Sequence, residues 1–236
     1  MSKSWRDYDT TFYDFQQIVT KEQEDYLDSM EKNLLTICNS VSGSGKTTLA
    51  VAFAHYHSMN LLYLFSPVEE NTLGYRPGGT QAKESSYYGP LKDALLDIGE
   101  DPSRCIKICD DEDLSAGWDS MKKAKNGTAW IEAKSHVFLR GTNIGKLTDF
   151  TDKKKTCVII DEAQNWTGLQ LKKALTRIHD DATVILIGHT GQIDLPNKNA
   201  SGFERVIEVF KNKEYAHVCN LTKNFRGKLS MDAEQI

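Results

Sequence analysis

The segment Ser40-Val41-Ser42-Gly43-Ser44-Gly45-Lys46-Thr47 carries the strongest signal in this 236-residue sequence. An apolar run, Leu34–Cys38, leads into it, and an apolar-periodic stretch, Thr47–His57, follows it. Strand, small-residue loop and helix in that order form the setting of a phosphate-binding loop, with the pattern GxxxxGK[ST]. Small residues let successive backbone N–H groups converge on phosphate oxygens, and the helix N-terminus adds the positive end of its dipole. Ser40 through Thr48 are therefore expected to line a nucleotide. Lys46 is placed to reach the β- and γ-phosphates and the Thr47 hydroxyl to ligate Mg2+. Ser40 stands where the pattern has its first glycine.

Downstream, Thr156-Cys157-Val158-Ile159-Ile160-Asp161-Glu162 reads as a buried strand that delivers two acids at its C-terminal end. Open α/β sheets bind ligands at that end. Asp161 is expected in the Mg2+ shell, and Glu162 as the group that orients and activates the attacking water. An acid directly after the metal acid favours hydrolysis over transfer to a small acceptor. Ile187-Gly188-His189-Thr190-Gly191-Gln192 is a third strand end, with Gln192 a candidate sensor of the γ-phosphate. The fourth, Leu221-Thr222-Lys223-Asn224-Phe225-Arg226, puts Arg226 in a loop after the last strand. That arginine reads either as a solvated charge or as a finger for transition-state charge, in cis or from a neighbouring subunit.

The remaining sequence supplies a frame for these motifs. Residues 1–20 read as a polar, loosely packed arm, and 21–236 as one domain. Helices are expected at Lys21–Lys32, Thr47–His57, Gly89–Ile98, Thr167–Ile178 and Phe203–Phe210. Strands are expected at Leu34–Cys38, Leu61–Phe65, Ile106–Ile108, Ala129–Glu132, His136–Leu139, Thr156–Ile160, Thr183–Ile187 and Ala216–Leu221. Apolar-run strands alternating with helices point to an α/β fold with a mostly parallel sheet flanked by helices.

Composition excludes several classes. With 39% hydrophobic and 26% charged residues the chain has material for a full core. Its net charge of −4 argues against a tail-driven nucleic-acid binder. No apolar run approaches the ~20 residues of a membrane span, and the polar N-terminus has no signal-peptide core. Five cysteines without a CxxC pair read as a reduced, cytoplasmic protein lacking a cysteine zinc site. His55 and His57, two apart on a helix, point to different faces and make poor joint ligands. Trp5, Trp118, Trp130 and Trp166 read as packing residues, with a channel-facing position as the alternative for Trp166, which follows the two acids. Lys122–Lys125 and Lys153–Lys155 read as solvated connectors, with contact to nucleic-acid phosphates as the alternative.

Taken together, these motifs resemble the PhoH family of P-loop ATPases, itself related to superfamily 1 helicases. The resemblance is carried by the phosphate loop, Asp161-Glu162-Ala163-Gln164-Asn165, Arg177-Ile178 and Gly188…Gln192-Ile193-Asp194-Leu195-Pro196…Ser201-Gly202. Ser66-Pro67-Val68-Glu69, Leu73-Gly74-Tyr75, Pro90-Leu91-Lys92-Asp93-Ala94-Leu95 and Leu139-Arg140-Gly141-Thr142 also match in order. His189 and Gly227 depart from the family's Asp and His. The resemblance implies a RecA-like ATPase with ATP and Mg2+ as cofactors. It also implies action on RNA or single-stranded nucleic acid, and a homo-oligomeric ring, plausibly a hexamer. It places Arg226 at the family's terminal arginine and Gln23 at a glutamine that reads adenine. Arg140 and Thr142 become candidates for nucleic-acid contact, with a structural arginine as the alternative for Arg140. Two other functions fit the same motifs: a nucleotide-dependent switch that remodels a partner without nucleic acid, and a small-molecule phosphotransferase.

Overall fold

In the computed structural model, residues 4–7, 19–66, 89–107, 129–135, 139, 143–145 and 154–233 are described. Arg140, Thr142, Trp118, His136, Lys122–Lys125, Lys153 and the stretches 67–69 and 73–78 lie outside them. Among the described residues six strands form one sheet: β1 (Leu35–Ser40), β2 (Asn60–Phe65), β3 (Ile131–Ser135), β4 (Thr156–Ile160), β5 (Thr183–Gly188) and β6 (Ala216–Leu221). Their spatial order is β3-β2-β4-β5-β1-β6, and every pair is parallel.

Parallel pairing requires crossovers, and helices supply them. Between strands lie α2 (Lys46–Tyr56), α3 (Gly89–Asp97), a short α4 (Pro102–Cys105), α5 (Gly168–Leu175) and α6 (Phe203–Phe210), while α1 (Lys21–Lys32) precedes β1 and α7 (Lys228–Ala233) follows β6.

Side chains alternate between two cores, as strand geometry demands. Cys38, Leu61, Tyr63, Ile159, Ile185 and Cys219 face α1, α2 and α3. Ile37, Leu62, Val158, Ile160 and Leu186 face Trp166, Leu171 and Phe203 on the other side. Helix α2 is apolar all round because it is enclosed all round: Leu49, Ala50, Val51, Ala52, Phe53 and Ala54 are each buried. Burial pushes the thiols of Cys38 and Cys157 up to about 12, so they stay protonated core groups. No helix among the described residues is long and apolar enough to cross a membrane.

Several expected elements shift. Of the strand expected at Ile106–Ile108, Ile106 makes an isolated bridge to Ile131, and Ile108 lies outside the described residues. The strand expected at Ala129–Glu132 appears as β3, starting at Ile131, whereas residues 136–138 of the strand expected at His136–Leu139 lie outside the described residues. The pattern of β3 was hard to read because it is an edge strand carrying Glu132 and Lys134, which pair with each other. Helix α5 ends at Leu175 rather than Ile178. The Thr176 hydroxyl donates back to the Lys172 carbonyl at 2.8 Å, and Ile178 leaves to bridge Ile144. Helix α7 had no periodic signal.

The N-terminal arm is not loose where it is described. The Trp5 indole donates to Asp28 at 2.8 Å, its backbone N–H donates to Glu31, and Arg6 pairs with Asp28. Thr20 caps α1 reciprocally with Gln23. The tryptophans Trp5 and Trp130 pack against the first core, and Trp166 is fully buried in the second.

Candidate functional site

Strands β1 and β4 end on the same edge of the sheet, separated by β5. The phosphate loop leaves β1 and crosses above β5 to start α2. Gly43 and Gly45 hold φ of +66° and +80°, a region that disfavours residues with a Cβ. Gly45 is the N-cap of α2 and no side chain caps that end. The N-terminal amides of an eleven-residue helix are thus not engaged by a capping side chain.

The Thr47 hydroxyl donates to Asp161 Oδ2 at 3.1 Å. The Tyr63 phenol donates to the same oxygen at 2.5 Å, and the Glu162 amide donates to Oδ1 at 2.9 Å. Asp161 is buried, and these donors satisfy both of its oxygens. Burial and the adjacent Asp161 charge push the Tyr63 phenol well above its ordinary range, so it remains a donor.

Glu162 sits at φ 50°, ψ 43°, left-handed for a non-glycine residue. Such a conformation costs of order 1–3 kcal/mol and survives only where its surroundings impose it. Here the imposing contacts are visible. Trp166 Nε1 donates to the Asp161 carbonyl at 3.1 Å, Asn165 N to the Glu162 carbonyl at 2.8 Å, and Gln164 Nε2 to Glu162 Oε2 at 2.6 Å. The turn aims Glu162 into the cavity. Surrounding protein and the Asp161 charge raise its carboxyl above the ordinary range, opposed by Lys46 and Gln164. A carboxylate raised in this way is a better proton acceptor.

A cavity of about 400 Å3 opens at this edge. Ser42 to Leu49 form its floor, Glu162 and Arg226 flank it, and Val19, Gln23, Pro90, Asp93, Ala94 and Asp97 form the far wall. Arg226 Nη1 donates to Ser42 Oγ at 3.0 Å, and Phe225 N donates to the Gly43 carbonyl at 2.9 Å. Arg226 thus lies against the phosphate loop of its own chain.

Lys46, Thr47, Thr48, Glu162 and Arg226 therefore converge, with Asp161 behind them. Ser40 does not join them: its side chain is buried beneath the loop. Neither does Val41, whose amide donates to the Leu221 carbonyl at 3.1 Å. Gln192 is exposed on the loop after β5 and does not line the cavity. Gln23 lines it, but its amide accepts from Thr20 N at 3.0 Å and donates to the Ser44 carbonyl at 3.1 Å. One N–H and one lone pair remain for a ligand.

Some wall residues were not identified as site residues from sequence. Asp93 and Asp97 project one helical turn apart from α3, and Asp97 accepts from Thr48 Oγ1 at 3.2 Å. Only the Pro90–Leu95 resemblance pointed near them. Tyr63 sat unnoticed in an apolar strand.

The donor set fits a phosphate-bound hard cation. Hydroxyl and carboxylate oxygens meet where Mg2+ is held in phosphate-loop proteins, and the Ser44 hydroxyl is buried in the loop with no hydrogen-bond partner. A family model described as "PhoH-like protein" matches residues 17–233. A PhoH-like protein of Synechocystis sp. is 31% identical over 210 residues, covering 86% of this chain and 56% of that protein. A PhoH-like protein of Bacillus subtilis is 29% identical over 201 residues, covering 83% and 54%. Protein PhoH of Escherichia coli is 26% identical over 205 residues, covering 84% and 51%. The chain thus spans about half the length of these relatives. Among solved structures, Bacteroides Pif1 in complex with ADP-AlF4 covers 90% of this chain and 44% of its own. Its TM-score is 0.41 and its identity 14%.

Proposed function

Because this chain belongs to the PhoH-like family, we propose that its cavity binds Mg·ATP and hydrolyses it, and that turnover is coupled to RNA or single-stranded nucleic acid. The observation that carries the ATPase reading is the meeting of Thr47 and Asp161 at 3.1 Å beneath a cavity that also receives Lys46, Glu162 and Arg226.

In this reading the backbone of Ser42 to Lys46 cradles the phosphates and Lys46 neutralises their charge. Thr47 and Asp161 would hold Mg2+, which when bound supplies charge neutralisation at the phosphate oxygens. Glu162 orients a water and accepts its proton as the water attacks. Gln164 fixes the rotamer that makes this possible. Arg226 stabilises charge developing on the transferred phosphoryl group. Gln23, Asp93 and Asp97 stand at the nucleoside end.

The nucleic-acid part rests on the family resemblance, with Arg140 and Thr142 as its proposed contacts. A turnover assay with purified chain tests the whole reading. Magnesium-dependent release of inorganic phosphate, stimulated by single-stranded RNA or DNA, supports it. Phosphate release unaffected by either strand would move the reading to a partner-remodelling switch, and a phosphorylated acceptor to a phosphotransferase. The ring implied by the resemblance is tested alongside by light scattering, where a monomer mass at working concentration overturns it.

A further inference from the structure

Strand β2 lies beside β4 in parallel register, with Tyr63 opposite Ile159. Asp161 is two residues beyond Ile159, and its amide continues the ladder by donating to the Leu64 carbonyl at 3.0 Å. Tyr63 and Ile159 point to the same face of the sheet. Two residues of parallel strand advance about 3.3 Å each. A tyrosine ring with its oxygen bridges that gap, which shorter side chains of the strand do not.

The phenol arrives at Asp161 Oδ2 with a hydrogen bond of 2.5 Å, from a residue 1% exposed. Thr47 donates to the same oxygen. A hydroxyl keeps lone pairs for a cation while giving its proton to a carboxylate. Thr47 is therefore free to serve both partners, whereas Tyr63 lies behind the carboxylate and does not line the cavity. Its hydroxyl bonds to Asp161 from outside the cavity lining.

We propose that Tyr63 is a positioning residue for the metal-holding carboxylate: its buried hydroxyl fixes the rotamer of Asp161 before Mg2+ and nucleotide arrive. The inference rests on the nucleotide-site reading above. Partners of this kind orient a ligand and commonly change metal affinity 10- to 100-fold when lost. They leave the ligand itself in place, so the defect appears in metal dependence and not in nucleotide recognition.

The test is Tyr63→Phe, which keeps the ring volume and removes only the oxygen. Mn2+ binding to the protein–ADP complex is measured by electron paramagnetic resonance, and ADP binding without metal by calorimetry. The expected result is Mn2+ affinity weakened about 10-fold or more, with metal-free ADP affinity unchanged. Turnover of the variant should recover as Mg2+ is raised. Wild-type Mn2+ affinity in the variant overturns the inference. Loss of a cooperative melt also overturns it, since the hydroxyl would then be structural. Absence of metal uptake by the wild-type ADP complex would instead overturn the nucleotide-site reading, and this inference with it.

Discussion

Arg226 donates to Ser42 across 3.0 Å within a single chain, so the arginine that follows the last strand rests on the chain's own phosphate loop. The Phe225 amide and the Gly43 carbonyl hold the two loops together at 2.9 Å.

Arg226→Ala is expected to slow ATP turnover about 10³-fold while ATP affinity changes much less. Mixing it with Lys46→Ala, which lacks the phosphate-binding ammonium, should yield no more activity than either parent. Activity recovered in the mixture, once subunit exchange is demonstrated, would place the finger in trans.

Glu162→Gln should retain ATP binding and lose at least about 10²-fold in turnover, because an amide does not accept the proton of the attacking water. Asp161, held by Thr47 and Tyr63, is untouched by this change. Calorimetry and single-turnover phosphate release separate the two effects. Hydrolysis at the wild-type rate would remove Glu162 from the role of base.

Gly43→Ala tests the contact between the loops. An added Cβ would lie 2.7 Å from Arg226 Cγ and 2.8 Å from Asn224 Oδ1, at a backbone φ of +66°. The left-handed conformation alone costs alanine roughly 1–2 kcal/mol. The expected outcome is a melting temperature lowered by about 2–8 °C, on a scale of roughly 2–4 °C per kcal/mol, together with impaired turnover. Unchanged melting and turnover would show that the loops part without cost.

Acid stability should report Asp28. Its partial burial opposes ionisation, yet hydrogen bonds from Arg6, Trp5 and Lys32 outweigh that and hold its carboxyl at about 2. The folded value lies below the unfolded one, so the contribution is complete above about pH 4 and vanishes as pH falls through about 2. The stability gap between wild type and Asp28→Asn should be constant near neutrality and close across that window in denaturant melts. A gap that does not change with pH contradicts the assignment.

Motifs whose chemistry is local were legible in the sequence. The phosphate loop announces itself because strand, small residues, lysine and threonine are contiguous, and β4 because its acids follow an apolar run. Relationships between distant segments were not. Nothing in Leu61–Phe65 distinguishes Tyr63 from a core aromatic until β2 lies beside β4. The acids of α3 look like a solvated helix face until α3 packs on α2. Gln192 shows the reverse case: a polar residue after a strand end suggests a sensor, and in the fold it is exposed outside the cavity lining. Edge strand β3 was blurred because half its face is charged.

The turn after β4 and the loop after β5 are joined by two carboxamides: Asn165, which pairs with Asp194 at 3.0 and 2.8 Å, and Gln164. Gln164 donates to Glu162 at 2.6 Å through its nitrogen and accepts from the His189 amide at 3.1 Å through its oxygen. The two ends of a carboxamide move as one rigid plane. The position of the backbone after β5 and the orientation of the Glu162 carboxylate are therefore linked through one side chain. A carboxylate at the cavity thus shares its support with a loop that leads out to the exposed Gly191 and Gln192.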